Sequence, residues 1–186
     1  MARVAIIYGS SEGHTARLAE RMAEVMAAAG HTPEVAAAAK APAPDGYDAL
    51  VVASSIHVGH YHQAVRRYLR DHLPALAAMP HAFVSVSLSE ASPGASGAET
   101  VAGYLHTLRE ETGFEPARAV SFGGALAFRR YGVLTRLMLR RIAAHGGLAT
   151  DTSTNHDYTD WAAVDAFAAS FASELERAEA PGTPAR

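Results

Sequence analysis

Cysteine is absent from the 186 residues. That excludes disulfides, thiolate metal sites and a cysteine nucleophile. Lysine occurs once, at Lys40, and arginine carries almost all the basic charge; we read this as a compositional habit rather than a functional signal. No window of about 18 uncharged apolar residues exists, so no segment is expected to span a membrane. The N-terminus enters an apolar run directly, with no basic leader and no cleavable segment. These absences predict a chain on the cytoplasmic side, with at most a contact to the cytoplasmic face of the membrane. Net charge is -3, which gives no overall nucleic-acid signature. With 49% apolar and 19% charged residues, a folded chain of one domain with a full core is expected.

Two nucleotide-binding patterns are also missing. There is no Gly-x-x-x-x-Gly-Lys-Ser/Thr and no Gly-x-Gly-x-x-Gly. What stands instead is Val4-Ala-Ile-Ile-Tyr-Gly-Ser-Ser-Glu-Gly-His-Thr15. A β-branched run ends at Tyr8, a loop of small and hydroxyl residues follows, and Leu18, Ala19, Met22, Val25 and Met26 then recur at helical spacing. This predicts a strand, a tight turn and a helix N-terminus. Unpaired N–H groups and the aligned peptide dipoles favour an anion at such a terminus. Ser10, Ser11 and Thr15 add hydroxyls, and the missing lysine suits a phosphate held by neutral donors. An ordinary, well-capped strand-to-helix turn is the competing reading.

Strand and helix signals alternate along the rest of the chain. Strands are expected over Val4–Tyr8, Thr32–Ala37, Ala49–Ser54 and His81–Leu88, with a further one within Ala117–Ala127. Helices are expected over Thr15–Ala29, Gln63–Leu76, Glu99–Glu111 and Asp160–Arg177. Pro42, Pro44, Asp45 and Gly46 mark a loop. Such alternation predicts a parallel sheet with helices on both faces. Ligands on these sheets bind at the carboxyl ends of the strands, so the loops Gly9–His14, Ser55–His62 and Ser89–Gly97 should converge on one site. The domain is expected over residues 1–178, with a disordered tail at 179–186.

Phe128–Tyr158 breaks the alternation and reads as an insert before the last helix. Five arginines fall within Arg129–Arg141 of an otherwise acidic chain. They fit an anionic membrane surface, an acidic ligand, or a surface helix whose apolar stripe covers the core.

Several distinctive stretches run together here: Ala53-Ser-Ser-Ile-His-Val-Gly-His-Tyr-His62, Met79-Pro80 with Ala82-Phe83, Gly124-Ala125-Leu126, Arg130-Tyr131, Gly146-Gly147, Thr150-Asp151-Thr152 and Tyr158-Thr159-Asp160-Trp161. On these, the chain resembles the flavodoxin-like, menaquinone-dependent protoporphyrinogen oxidases of bacteria over nearly its whole length. The resemblance implies a flavodoxin-like α/β fold of five parallel strands in order 2-1-3-4-5, with helices on both faces. It also implies non-covalent flavin mononucleotide (FMN). The implied reaction is oxidation of protoporphyrinogen IX to protoporphyrin IX in heme biosynthesis, with a membrane menaquinone or ubiquinone as acceptor. No nucleic-acid partner and no metal are implied, and self-association is left open. The chain departs from the family in Ser89–Gly97, which has no basic residue, and in a less aromatic insert. An electron-carrying flavodoxin and an FMN-dependent quinone reductase are the alternatives.

The candidate residues follow. Ser10, Ser11, Glu12, Gly13, His14 and Thr15 should hold the flavin phosphate, mainly through backbone N–H groups. The flavin ring should lie between Ser54, Ser55, Ile56, His57, Gly59 and Tyr61 on one side and Ser87, Leu88 and Ser89 on the other. Gly59 offers close backbone approach or positive φ. Tyr61 either stacks on or caps the flavin, or is a partly buried loop aromatic. His57, His60 and His62 invite a metal reading, but proton transfer suits them better. His57 and His60 are the candidate acceptors of the substrate's N–H proton, with solvent as the alternative, and at least two of the three histidines are expected to make structural hydrogen bonds. Arg129, Arg130 and Arg136 could hold propionates, or lipid headgroups, through their guanidinium forks. Asp160 should cap the last helix and Trp161 should be core.

Overall fold

The structure is a computed structural model that describes residues 1–57, 59–88, 96–126 and 151–179. Strands β1 (Arg3–Gly9), β2 (Thr32–Ala37) and β3 (Ala49–His57) precede the short β4 (His60–Tyr61); β5 (His81–Ser87) and β6 (Ala119–Gly123) follow. β1, β2, β3, β5 and β6 form a parallel sheet in the order β2-β1-β3-β5-β6, and β4 pairs antiparallel with the end of β3. With β4 set aside, this is the expected 2-1-3-4-5 order.

Side-chain alternation explains why both faces are covered. Val4 and Ile6 point to one face, where they meet Leu18, Met22 and Met26 of α1 (His14–Ala28) and Phe167 and Phe171 of α5 (Trp161–Glu179). Ala5 and Ile7 point to the other, under α2 (Gln63–Asp71), α3 (Leu73–Ala77) and α4 (Ser96–Thr112). Val51 and Val52 divide in the same way. Strands buried on both faces need continuous apolar runs, and that is why β1 and β3 are readable in the sequence.

Three expectations need correction. The helix foreseen over Gln63–Leu76 is two helices that meet at His72. Pro74 sits in the first turn of the second, where its missing N–H is tolerated, whereas inside one continuous helix it would break the ladder. Strand β3 runs on through Ser55, Ile56 and His57, where a loop was expected, because β4 returns to pair with it in the register Ile56↔Tyr61 and His57↔His60. Gly59 turns that hairpin with φ 81°. Its Cβ position is open, so the left-handed conformation, not close approach, calls for glycine there. Finally, Ser96 and Gly97 belong to α4 rather than to the preceding loop.

The insert starts and ends on a two-residue antiparallel ladder. β7 (Ala125–Leu126) pairs with β8 (His156–Asp157) in the register Ala125↔Asp157 and Leu126↔His156. Asp160 caps the last helix as expected: the Ala163 N–H donates to its Oδ1 at 3.0 Å. No described helix is long and apolar enough to cross a membrane.

Candidate functional site

The turn between β1 and α1 sets the start of the helix. Gly13 occupies the N-cap position of α1 with φ 86°, a left-handed conformation that glycine adopts without steric cost. The helix has no side-chain cap and no acidic residue in its first turn. The Ser10 hydroxyl accepts from the Gly13 N–H at 2.9 Å and so braces the loop from within. Thr15 is 1% exposed, and its Oγ1 finds no hydrogen-bond partner among the described residues. An unsatisfied buried hydroxyl costs about 1–3 kcal/mol. An ordinary capped turn would have satisfied these groups; an arriving phosphate ester, rich in acceptor oxygens, would do so. The residues present therefore fit the phosphate end of FMN.

His14, the first residue of α1, is tied to the far end of the insert. Its side chain is 11% exposed. Nε2 lies 2.7 Å from Thr159 Oγ1 and 3.8 Å from an Asp157 carboxylate oxygen. The Thr159 hydroxyl in turn donates to the Gly123 carbonyl at 2.8 Å. Burial holds the His14 imidazole below its ordinary range, with Asp157 opposing that shift and Arg17 adding to it. Arg17 lies 3.6 Å from Asp157 and stacks over the Trp161 ring at 5.2 Å. Trp161, expected in the core, is only partly buried and stands edge-on to His14 at 6.0 Å.

The β3–β4 hairpin forms the second wall. Ser54 is fully buried; its hydroxyl accepts from the His62 N–H at 3.0 Å and donates to the Ser55 carbonyl. The Ser55 hydroxyl donates to the Gly9 carbonyl and so joins β3 to the phosphate turn. His62 caps α2 by accepting from the Ala64 N–H, which is a structural role. Tyr61 corrects the expectation of a ring stacked on the flavin. It is 3% exposed, stands edge-on to Phe83 at 4.9 Å and donates to Ser85 Oγ at 3.1 Å. Burial pushes its phenol up to about 12. Phe83 offers an apolar wall in the core, and the hydroxyl reaches the buried Ser85 there, so the ring packs inward.

His57 and His60 face each other across the hairpin, and the side chain of His60 is 53% exposed. Its Nδ1 lies 3.2 Å from Glu111 Oε1, while Arg66 donates to Glu111 Oε2 at 2.8 Å. The Arg66 hydrogen bond holds the Glu111 carboxyl below its usual range. The sequence reading missed Glu111: it lies in α4, and nothing local marks a contact with a hairpin some fifty positions earlier. Asp157 and Thr159 were missed as partners of His14 for the same reason. Among the described residues, no group of three histidine, aspartate or glutamate side chains is placed to hold a metal ion. Ser87 closes the third wall, its carbonyl accepting from the Gly124 N–H at 2.9 Å, with Leu88 next to it. Ser89, Arg129, Arg130 and Arg136 lie outside the described residues.

An unsatisfied phosphate-type turn on a sheet of this order defines the class: residues 5–153 match the flavodoxin domain family, and the chain belongs to it. A flavodoxin structure from the domain Archaea superimposes with a TM-score of 0.55 at 14% identity, covering 94% of this chain and 99% of that one. Within that class the likeness narrows. The chain is 32% identical over 165 residues to the protoporphyrinogen IX dehydrogenase [quinone] of Escherichia coli K12, spanning 88% of this chain and 91% of the relative. It is 34% identical over 126 residues to the Leishmania major protein of the same name, with 68% of this chain and 54% of that protein covered. The chain accordingly belongs with the quinone-linked protoporphyrinogen IX dehydrogenases.

Proposed function

We propose that this protein is an FMN-dependent oxidoreductase that oxidises protoporphyrinogen IX to protoporphyrin IX and delivers the electrons to a quinone. The observation that carries the reading is the likeness to the Escherichia coli dehydrogenase across 91% of that protein, rather than across a cofactor loop alone. The open phosphate turn supports the cofactor: Thr15 Oγ1 and the uncapped start of α1 await an acceptor-rich anion.

When bound, FMN supplies a two-electron acceptor. The protein's own residues do the rest. Ser10, Ser11, Glu12, Gly13, His14 and Thr15 hold the phosphate, mainly through backbone N–H groups. Ser55, Ile56, His57 and Gly59 on the hairpin, with Ser87, Leu88 and Ser89 opposite, flank the flavin ring. Each of the three hydrides that leave methylene bridges of the porphyrinogen is matched by loss of one proton, two of the three protons coming in net from pyrrole N–H groups and one from the remaining bridge. His60 or His57 accepts that proton, and the Glu111 carboxylate beside His60 balances the positive charge that results. Arg129 and Arg130 pair with the propionates. The arginine-rich part of the insert also favours contact with an anionic membrane surface, where the quinone resides.

The test is anaerobic. The FMN-loaded protein is mixed with protoporphyrinogen IX and a menaquinone analogue, and porphyrin fluorescence is followed. Quinone-dependent growth well above the no-enzyme rate is expected. A variant lacking 129–147 is expected to keep FMN and lose turnover. Flavin binding without porphyrin formation by the intact chain would overturn the substrate assignment and leave a carrier or a quinone reductase. Turnover by the shortened variant would overturn the role of the insert.

A further inference from the structure

The hydrogen bonds around His14 determine where its proton lies. The Thr159 hydroxyl has one hydrogen, and it goes to the Gly123 carbonyl. Thr159 Oγ1 must therefore accept from His14 Nε2 at 2.7 Å, which makes the neutral ring the Nε2–H tautomer. Nδ1 is left as a bare lone pair. It is buried and has no partner among the described residues. In the next residue, Thr15, Oγ1 is also buried and also without a partner among the described residues. Two orphaned polar atoms in consecutive residues at the start of an uncapped helix mark a position that a ligand completes.

We propose that His14 takes up a proton when the flavin phosphate docks on the turn, so that FMN binding and protonation of this ring are linked. The proposal rests on the reading that Ser10–Thr15 hold the phosphate. The chemistry is a matter of lone pairs. A phosphate dianion has acceptors only, and so has Nδ1 in the neutral ring; set side by side they repel. A proton on Nδ1 turns the repulsion into a charge-assisted hydrogen bond. The complex then holds one proton more than the separate protein and dianion. Among the described residues, the charged groups facing the ring are Asp157 from β8, at 3.8 Å, and Arg17 one turn along α1. α5 contributes the neutral Trp161, and β6 only the Gly123 carbonyl, reached through Thr159. Burial lowers the proton affinity of the ligand-free ring, so the proton is acquired on binding.

The sign follows from linkage. A group whose affinity for a proton rises on binding favours the complex fully below its ligand-free range, and that advantage is lost as pH rises through its bound range. Between the two ranges the dissociation constant for FMN should rise about tenfold per pH unit.

The experiment is titration calorimetry with FMN at about pH 7.5, above the ordinary histidine range, in two buffers of different ionisation heat. Binding is followed in parallel by quenching of flavin fluorescence. Uptake approaching one proton per FMN is expected for the native protein, with none for riboflavin, which has no phosphate. His14→Gln keeps a donor for Thr159 but cannot titrate, and it should bind FMN with no His14-linked uptake. FMN binding without uptake in the native protein would overturn the proposal, as would equal uptake in His14→Gln. Absence of quenching at every pH would overturn the phosphate-turn reading itself.

Discussion

Thr15 and Tyr61 show how burial assigns roles that residue type leaves open. Both carry hydroxyls next to the proposed cofactor site. That of Tyr61 has a partner in Ser85, so its ring belongs to the core; that of Thr15 has none among the described residues. Thr15→Val preserves shape and removes only the orphaned hydroxyl. It is therefore expected to leave the FMN-free protein as stable as before or slightly more so, and to raise the dissociation constant for FMN about tenfold. Fluorescence quenching and thermal melts measure the two effects. An unchanged affinity would show that the hydroxyl does not reach the ligand. The same distinction sorts the histidines. His31 accepts from the Ala2 N–H and bonds the Ala172 carbonyl, a structural arrangement like that of His62, whereas His60 is exposed beside a carboxylate.

Among the elements, the β3–β4 hairpin matters most, because it carries both candidate proton acceptors. Its turn depends on Gly59 at φ 81°. Gly59→Ala meets no atom, so its effect isolates the backbone: about 1 kcal/mol of lost stability is expected, read from a denaturant midpoint at unchanged slope. A neutral result would mean that the turn relaxes into another conformation. This hairpin also marks the limit of what could be read in advance. The apolar run Ala49–Ala53 announces a buried strand, and β1 and β2 are equally plain. Ser55, Ile56 and His57 carry no such run, because their strand conformation depends on a partner, β4, that forms only when Gly59 reverses the chain. The break at His72 was more accessible, since Pro74 was in view; the regular spacing of Val65, Tyr68, Leu69 and Leu73 outweighed it. At the site, the phosphate turn was legible because all its parts are consecutive. The Glu111–His60 and Thr159–His14 contacts were not, because they join elements far apart in the chain and no local spacing encodes them.

At the scale of the whole molecule, the phosphate turn and the end of the insert are one mechanical unit. α1 and α5 lie side by side on the same face of the sheet and are joined by Arg21, whose guanidinium pairs with Asp165 at 2.7 Å. Arg17 and His14 continue this seam to Asp157 and Thr159. FMN bound at the head of α1 should therefore stabilise the entire domain rather than one loop. At a free concentration about 100 times its dissociation constant, the gain should be about 2.7 kcal/mol, or roughly 5–10 °C in melting temperature for a domain of this size. Thermal melts with and without FMN test this. A melting temperature that fails to rise while flavin is bound would mean that the folded and unfolded chains hold the ligand equally well.

The ladder between β7 and β8 holds Leu126 and His156 opposite each other, so whatever length of chain joins them leaves and re-enters the fold at neighbouring positions. Closing such an excursion depends only weakly on its length, about 0.6 kcal/mol for each doubling. Segments of quite different size and composition could be grafted at this point without altering the register of any parallel strand. Exchange of substrate preference among proteins of this architecture would then proceed by replacing a whole excursion, leaving the cofactor-bearing sheet untouched.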